Sequence, residues 1–292
     1  RAEILEFEEI ARVVRAVVPL GVRKVRLTGG EPLVRRNLDG LVRLLAGVEG
    51  LDELTLTTNG SLLAARAPAL ADAGLRRVTV SLDALDDPTF MRMNDVGFPV
   101  ARVLDGISAA IAAGLGPVKV NTVVRRGMNE HAVADLGGHF RGTDTVVRFI
   151  EYMDVGSSNG WRMDDVVPAA EILATIDARW PIEPVEPGYR GEVAQRWRYR
   201  DGGGEIGVIT SVTQPFCGDC TRARLSADGQ LFTCLFAASG HDLRSLLRSG
   251  ATDDDLADAL RGIWSGRWDR YSELRSLETV DMPKVEMSFI GG

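Results

Sequence analysis

The sequence predicts an α/β fold: an incomplete parallel barrel of βα units over residues 1–153, then a C-terminal region over 154–292 that closes it and carries all three cysteines. Five strand-like runs alternate with helical patterns through the first half, which is the signature of right-handed βαβ units and a parallel sheet. Within those runs alternate residues are apolar and polar, so the two faces of the sheet meet different partners.

The elements follow in order. A helical pattern over 6–18 stops at Pro19 and Gly21. The five strand-like runs are Lys24–Gly29, Leu54–Asn59, Arg77–Asp83, Val118–Val124 and Val146–Met153, separated by helical patterns near 38–47, 62–73, 100–113 and 129–140. Gly74 and Gly114 stand where helices end, positions that favour a left-handed residue. Five units are too few for a closed eight-stranded barrel, and the sequence opens inside a helix, so an earlier strand is expected before it. Beyond residue 153 the pattern changes to a Gly156–Gly160 loop, an amphipathic helix over 168–179, a tight turn at 202–204 and a strand over 206–210. This region is expected to wrap the open side of the barrel. Residues 241–249 and 253–264 read as helical, and 286–292 as extended with a bare double glycine.

Composition narrows the function. Apolar residues make up 45% and charged residues 26%, ordinary values for a globular protein. No apolar run approaches the roughly 20 residues that cross a bilayer, so no membrane partner is expected. A net charge of −7 argues against broad nucleic-acid binding. Three clustered cysteines, an odd number, argue against a disulfide framework and for a reducing, cytoplasmic compartment. Lysine occurs only at 24, 119 and 284, which draws attention to Lys119.

One face of the first four runs reads Val25/Leu27, Leu54/Leu56, Val78/Val80/Leu82 and Val118/Val120. The other reads Arg26/Thr28/Gly30, Thr55/Thr57/Asn59, Thr79/Ser81/Asp83 and Lys119/Asn121. A polar lumen cannot be a dry core, because unpaired polar groups there are costly, so it should hold water or a polar ligand. The competing readings are reversed faces, or a flavodoxin-like sheet that exposes these positions.

Cys217, Cys220 and Cys234 form a C-x2-C-x13-C pattern. A two-residue spacing lets one turn aim two thiolates at a metal centre, and the third returns from a neighbouring segment. Zinc normally closes a structural site with four ligands, whereas an iron–sulfur cluster held by three cysteines leaves one iron open. Thr28-Gly29-Gly30-Glu31-Pro32 closes the first run. Paired glycines there allow close approach of backbone to a ligand, and Glu31 adds charge for a cationic group; alone, such a pair is more often just a turn.

Together these stretches resemble the radical S-adenosylmethionine (SAM) superfamily, and more narrowly its GTP 3′,8-cyclases of molybdenum cofactor biosynthesis. The matching segments are residues 21–36, 56–60, 78–86, 118–124 and 148–153, the cysteine pattern and the terminal Gly-Gly, so the resemblance runs from about residue 20 to the end. It implies a (βα)6-type radical SAM barrel lacking its first strand, with a C-terminal extension that carries a three-Cys iron–sulfur cluster. Family members hold two [4Fe-4S] clusters, and a C-x3-C-x2-C motif after their first strand binds the one that cleaves SAM. Only the C-terminal cluster has ligands in this sequence; the motif is expected to precede it, with natural loss the second reading.

The resemblance further implies SAM contacts at Gly30, Ser81 and Met153, although a Met at a strand end is more often core. It implies GTP contacts at Arg26, Thr57, Lys119, Arg222, Ala223 and Arg224, and cluster ligation by Cys217, Cys220 and Cys234. Arg26, Thr57 and Lys119 also fall on the polar face found by alternation alone. The implied chemistry is a 5′-deoxyadenosyl radical that removes the ribose 3′ hydrogen of GTP, with ring closure onto guanine C8. A homodimer is implied, as is a product passed to the next molybdopterin-pathway enzyme. The Gly291-Gly292 tail is expected to reach the active site, against the default of a frayed terminus. Two alternatives stand beside this reading. One is a zinc-dependent structural protein using the three cysteines and a histidine, of which His241 is nearest in sequence. The other is a sibling radical SAM enzyme acting on a peptide.

Overall fold

The computed structural model describes residues 3–95, 97–275 and 284–291. Its centre is an eight-stranded sheet in the order β1-β2-β3-β4-β5-β8-β7-β6. Strands β1 (Lys24–Leu27), β2 (Glu53–Thr58), β3 (Arg77–Ser81), β4 (Lys119–Val124) and β5 (Val146–Glu151) are parallel neighbours in chain order, matching the five predicted runs within a few residues. The connections are α2 (Leu38–Ala46), α3 (Leu63–Asp72), α4 (Asp87–Asn94) with α5 (Val100–Ala112), and α6 (Ala132–Phe140); α1 (Phe7–Val17) precedes them.

The apolar face packs as alternation predicts. Leu54, Leu56, Val78, Val80, Leu82, Val118 and Val120 are at most 3% exposed, and they share one core with Leu41, Leu45, Leu63, Leu70, Val103 and Ile107 of the helices. Each such side chain contributes about 1.5–3 kcal/mol over its exposed state. Gly74 and Gly114 take φ of 104° and 78° after α3 and α5. Each lets the following residue's amide bond back into the helix, Leu75 to Leu70 and Leu115 to Ala110, which satisfies the last carbonyls.

The C-terminal region extends the same sheet and adds a second one. After α7 (Ala169–Asp177), strands β6 (Ile182–Val185), β7 (Gln195–Tyr199) and β8 (Glu205–Ile209) join the same sheet. β8 lies parallel to β5, and β7 and β6 follow antiparallel. The tight turn at 202–204 is the β7–β8 hairpin, with Gly202 and Gly204 at positive φ. A second sheet of β9 (Arg224–Leu225), β10 (Gln230–Phe232) and β11 (His241–Asp242) carries the cysteine segment. It is backed by α8 (Leu243–Arg248) and α9 (Asp253–Ser265). α1 joins the two halves: Val14 faces the main core, while Val13 and Ala16 pack with Leu243, Leu247, Leu256 and Leu260. The end of the chain corrects an expectation. After α10 (Tyr271–Leu274), residues Met287–Ile290 form a short helix, α11, rather than an extended strand, because the Gly291 amide bonds back to Met287. Among the described residues no helix is long and apolar enough to cross a membrane.

Candidate active site

The polar face of the sheet gathers cations. Register sets Arg26 beside Thr55 and Thr55 beside Arg77, then Thr57, Thr79 and Lys119 in a row, then Ser81, Asn121 and Arg148. Arg148 is 7% exposed and donates to Thr79 Oγ1 at 3.4 Å. Arg77 and Arg148 were not singled out from the sequence. Their signal is parity: Arg77 shares the spacing of Thr79 and Ser81, and Arg148 pairs with Asn121.

These charges strain against one another. Burial, aided by Arg148 and Arg77, pushes the Lys119 ammonium down to about 8. Burial with Arg26 and Arg77 pushes Arg148 down to about 10, and burial with Arg77 also lowers Arg26. The carboxylates acting on them are Glu53, which is itself paired with Lys24 at 2.6 Å and with Arg77, and Glu192. Among the described residues, Thr57 Oγ1, Asn121 Oδ1, Arg148 Nε and Arg222 Nε are buried and lack a hydrogen-bond partner. Lone buried polar atoms beside crowded cations are the inverse image of a polar anion.

The cysteines lie at the mouth of the β9–β10 hairpin. Cys217–Asp219 is a single 3-10 turn, closed by the Cys220 amide on the Cys217 carbonyl at 3.2 Å. In the hairpin Arg224 is level with Phe232, which stands two residues before Cys234. Arg222 Nη2 donates to Cys220 Sγ at 3.3 Å, and the Phe236 amide donates to Cys234 Sγ at 3.4 Å. Burial raises the Cys220 thiol, but the charge of Arg222 and hydrogen bonds from Arg222 and Arg267 bring it below its ordinary value. Burial keeps Cys234 above its own.

All three thiols are free and half-buried. Among the described residues, no three Cys, His, Asp or Glu side chains converge on a single ion. Three thiolates are one donor short of a closed structural zinc site, whereas three cysteines on separate irons can hold an iron–sulfur cluster with one iron left open. His241 is exposed on β11 beside Trp268 and Asp269.

The hairpin brings its arginines to the sheet. Burial, with Arg222 as the nearest like charge, pushes Arg224 down to about 10, and Arg26 adds to that push. Ala223 between them is exposed. Arg224 Nε donates to the Gly291 carbonyl at 3.1 Å. Gly291 has a φ of 75°, and a Cβ there would lie 2.3 Å from Thr28 Cγ2, so only glycine fits. The tail therefore ends against the glycine pair of β1; Gly292 lies outside the described residues.

Gly30, Ser81 and Met153 stand at or just past the carboxyl ends of β1, β3 and β5, three parallel strands whose ends share one edge of the sheet. The Met153 carbonyl accepts from Asn159 Nδ2 at 3.0 Å, and its side chain packs with Ile150, Ile209 and Phe216, next to Cys217. Glu31 also has a structural part. Its carboxylate accepts from the Leu33 amide at 2.9 Å, Thr58 Oγ1 at 2.8 Å and the Asn59 amide at 2.7 Å, which pins the β1 loop to β2.

Known proteins resemble this chain along its whole length. Residues 1–137 match the radical SAM superfamily, and residues 145–273 match the family described as Molybdenum Cofactor Synthesis C. The chain is 56% identical to the GTP 3′,8-cyclase of Acidothermus cellulolyticus, covering 100% of this chain and 88% of that one. It is 54% identical to the enzyme of that name from Xanthomonas axonopodis, covering 99% and 86%. With that of Staphylococcus aureus identity is 45%, again over 99% and 86%. A crystal structure of Streptococcus suis SuiB bound to S-adenosylmethionine shares the fold, with a TM-score of 0.59 at 14% identity, over 96% of this chain and 65% of that one.

Proposed function

This chain belongs to the GTP 3′,8-cyclase family of radical SAM enzymes, and from that premise we propose that its polar sheet face and cysteine hairpin together hold GTP for cyclisation. The observation that carries this reading is the crowding of Arg26, Lys119, Arg148 and Arg224, all held below their ordinary values mainly by burial. A triphosphate supplies the missing negative charge, and arginine forks suit its oxygens. Arg26, Thr57 and Lys119 bind from the sheet; Arg222, Ala223 and Arg224 bind from the hairpin.

Cys217, Cys220 and Cys234 would hold the second [4Fe-4S] cluster of the family, with Arg222 and the Phe236 amide donating to their sulfurs. Gly30, Ser81 and Met153 would hold SAM. When bound, SAM and its own cluster supply the radical that opens the reaction on the ribose. The chain's part is orientation: a substrate fixed at both its phosphates and its base presents one hydrogen, and such positioning supplies a large share of the rate. The reading extends to residues 1–153 as a partial barrel, 154–292 as its closing region, a homodimer in a reducing cytoplasm, and a product handed to the following enzyme of molybdopterin synthesis.

Nucleotide affinity tests the phosphate half of this reading. By equilibrium dialysis at pH 7, GTP binds at least a hundredfold more tightly than guanosine. The preference weakens as pH rises through about 8, because Lys119 loses its proton in the free protein there and must regain it to meet the phosphates. Equal affinities for GTP and guanosine refute the reading.

A further inference from the structure

Asp154 follows Met153 directly and is 1% exposed. It meets two cations and a phenol. Arg275 Nε donates to Oδ1 at 3.0 Å, and Tyr271 donates to Oδ2 at 2.6 Å. Lys284 Nζ donates to Oδ2 and to the Asp154 carbonyl, both at 3.1 Å. The Arg275 and Lys284 side chains are 5% and 2% exposed, so this ion cluster is closed off from bulk solvent. Burial raises the Asp154 carboxyl, but Tyr271, Arg275 and Lys284 together hold it below the ordinary range. None of these residues belongs to the GTP or SAM sets above.

Each partner leads elsewhere. Tyr271 stacks on Phe236 at 4.5 Å, and the Phe236 amide bonds Cys234 Sγ. Arg275 Nη1 donates to the Ser211 carbonyl at 3.1 Å, past the end of β8. Lys284 begins the last described segment. That segment is stitched down by the Val285 amide on the Ala237 carbonyl at 3.1 Å and by the Ser157 amide on the Glu286 carboxylate at 2.9 Å. Seven residues after Lys284, Gly291 receives the Arg224 hydrogen bond. One carboxylate thus joins the end of β5, the Cys234 loop and the tail that touches a nucleotide-binding arginine.

We infer that Asp154 is a positioning residue: it straps the C-terminal segment onto the Cys234 loop, and through Gly291 it sets the direction in which Arg224 meets the substrate. The inference rests on the reading of Arg224 as a GTP contact.

A double-mutant cycle on the holoenzyme tests it. Asp154→Asn keeps the shape but removes the charge that holds Arg275 and Lys284. In the parent it weakens GTP binding about tenfold and speeds hydrogen exchange of the Val285 and Gly291 amides at least tenfold, while Val120 and Val147 in the sheet keep their protection. In an Arg224→Ala background the same change costs less than twofold in affinity, since the group it positions is gone. Should Asp154→Asn fold poorly, Lys284→Met is the milder variant and gives the same pattern. Additive losses, or unchanged exchange of the tail amides in either variant, overturn the inference. If Arg224→Ala alone leaves GTP affinity unchanged, the GTP-contact reading fails, and with it the positioning of that contact; faster tail exchange would then stand only as a fold property.

Discussion

Replacing Arg222 and Arg224 together by Ala lowers GTP affinity by two to four orders of magnitude. Each guanidinium is a charged donor within the site, and a hydrogen bond to a charged group contributes about 1.5–3 kcal/mol, so two remove about 3–6 kcal/mol. Burial, with Arg222 and Arg26 as like charges, pushes Arg224 down to about 10 against the opposing pull of the Cys220 and Cys234 sulfurs. Arg222 also bonds Cys220 Sγ, so the iron content of the variant must be read beside its affinity. A variant that keeps its iron and sulfide but loses GTP separates substrate binding from ligand support. Arg224→Lys falls between parent and Ala, because lysine keeps the charge without the planar fork.

The largest effect on stability is expected at Glu151, which touches no proposed ligand. It is 0% exposed at the end of β5. Its two oxygens accept from the Ala169 amide at 2.9 Å, the Val212 and Thr213 amides at 2.8 Å each, and Thr213 Oγ1 at 2.5 Å. One side chain therefore fastens the start of α7 and the loop after β8 to β5. Glu151→Ala strands one buried amide, that of Ala169, at about 1–3 kcal/mol, and two part-buried ones, those of Val212 and Thr213, at less because water can reach them. A net loss of about 3–5 kcal/mol is expected, which lowers the thermal midpoint by on the order of 10 °C. Glu151→Gln keeps one acceptor and falls between. A shift within 2 °C for the alanine variant would contradict this account of how the two halves are joined.

What the sequence made legible is what repeats locally. The parallel strands and the apolar core follow from period-two alternation in runs such as Arg77–Ser81, and the helix ends follow from Gly74 and Gly114. The polar face follows from the same alternation, which places Arg26, Thr57 and Lys119 on one side of the sheet. Arg148 was readable by the same parity but sits among the apolar residues of β5, where one charge looks like an exception. α4 carried its own start signal, since the Asp86 side chain caps the Thr89 amide at 2.9 Å and Pro88 lies in the first turn. It has few buried residues beyond Phe90, so no amphipathic stripe marks it.

Strands β6 and β7 show no apolar alternation. Their edges carry charged cross-strand pairs instead, Arg198 with Glu183 and, across to β8, Arg196 with Glu205. The Asp154 cluster is illegible in the sequence because its partners lie more than a hundred residues away. The loop-pinning contacts of the Glu31 carboxylate come from the backbone and from Thr58, which sequence spacing does not reveal.

Turnover tests the central claim most directly. The full-length protein, purified without oxygen and loaded with iron and sulfide, is given SAM, a reductant and GTP, and the nucleotide pool is separated by chromatography. The account predicts that GTP is consumed to a cyclised nucleotide still carrying its triphosphate, that guanosine is left untouched, and that Cys234→Ser loses both the C-terminal cluster's iron and the activity. A protein that binds zinc tightly through these cysteines, takes up no sulfide and returns GTP unchanged would contradict it.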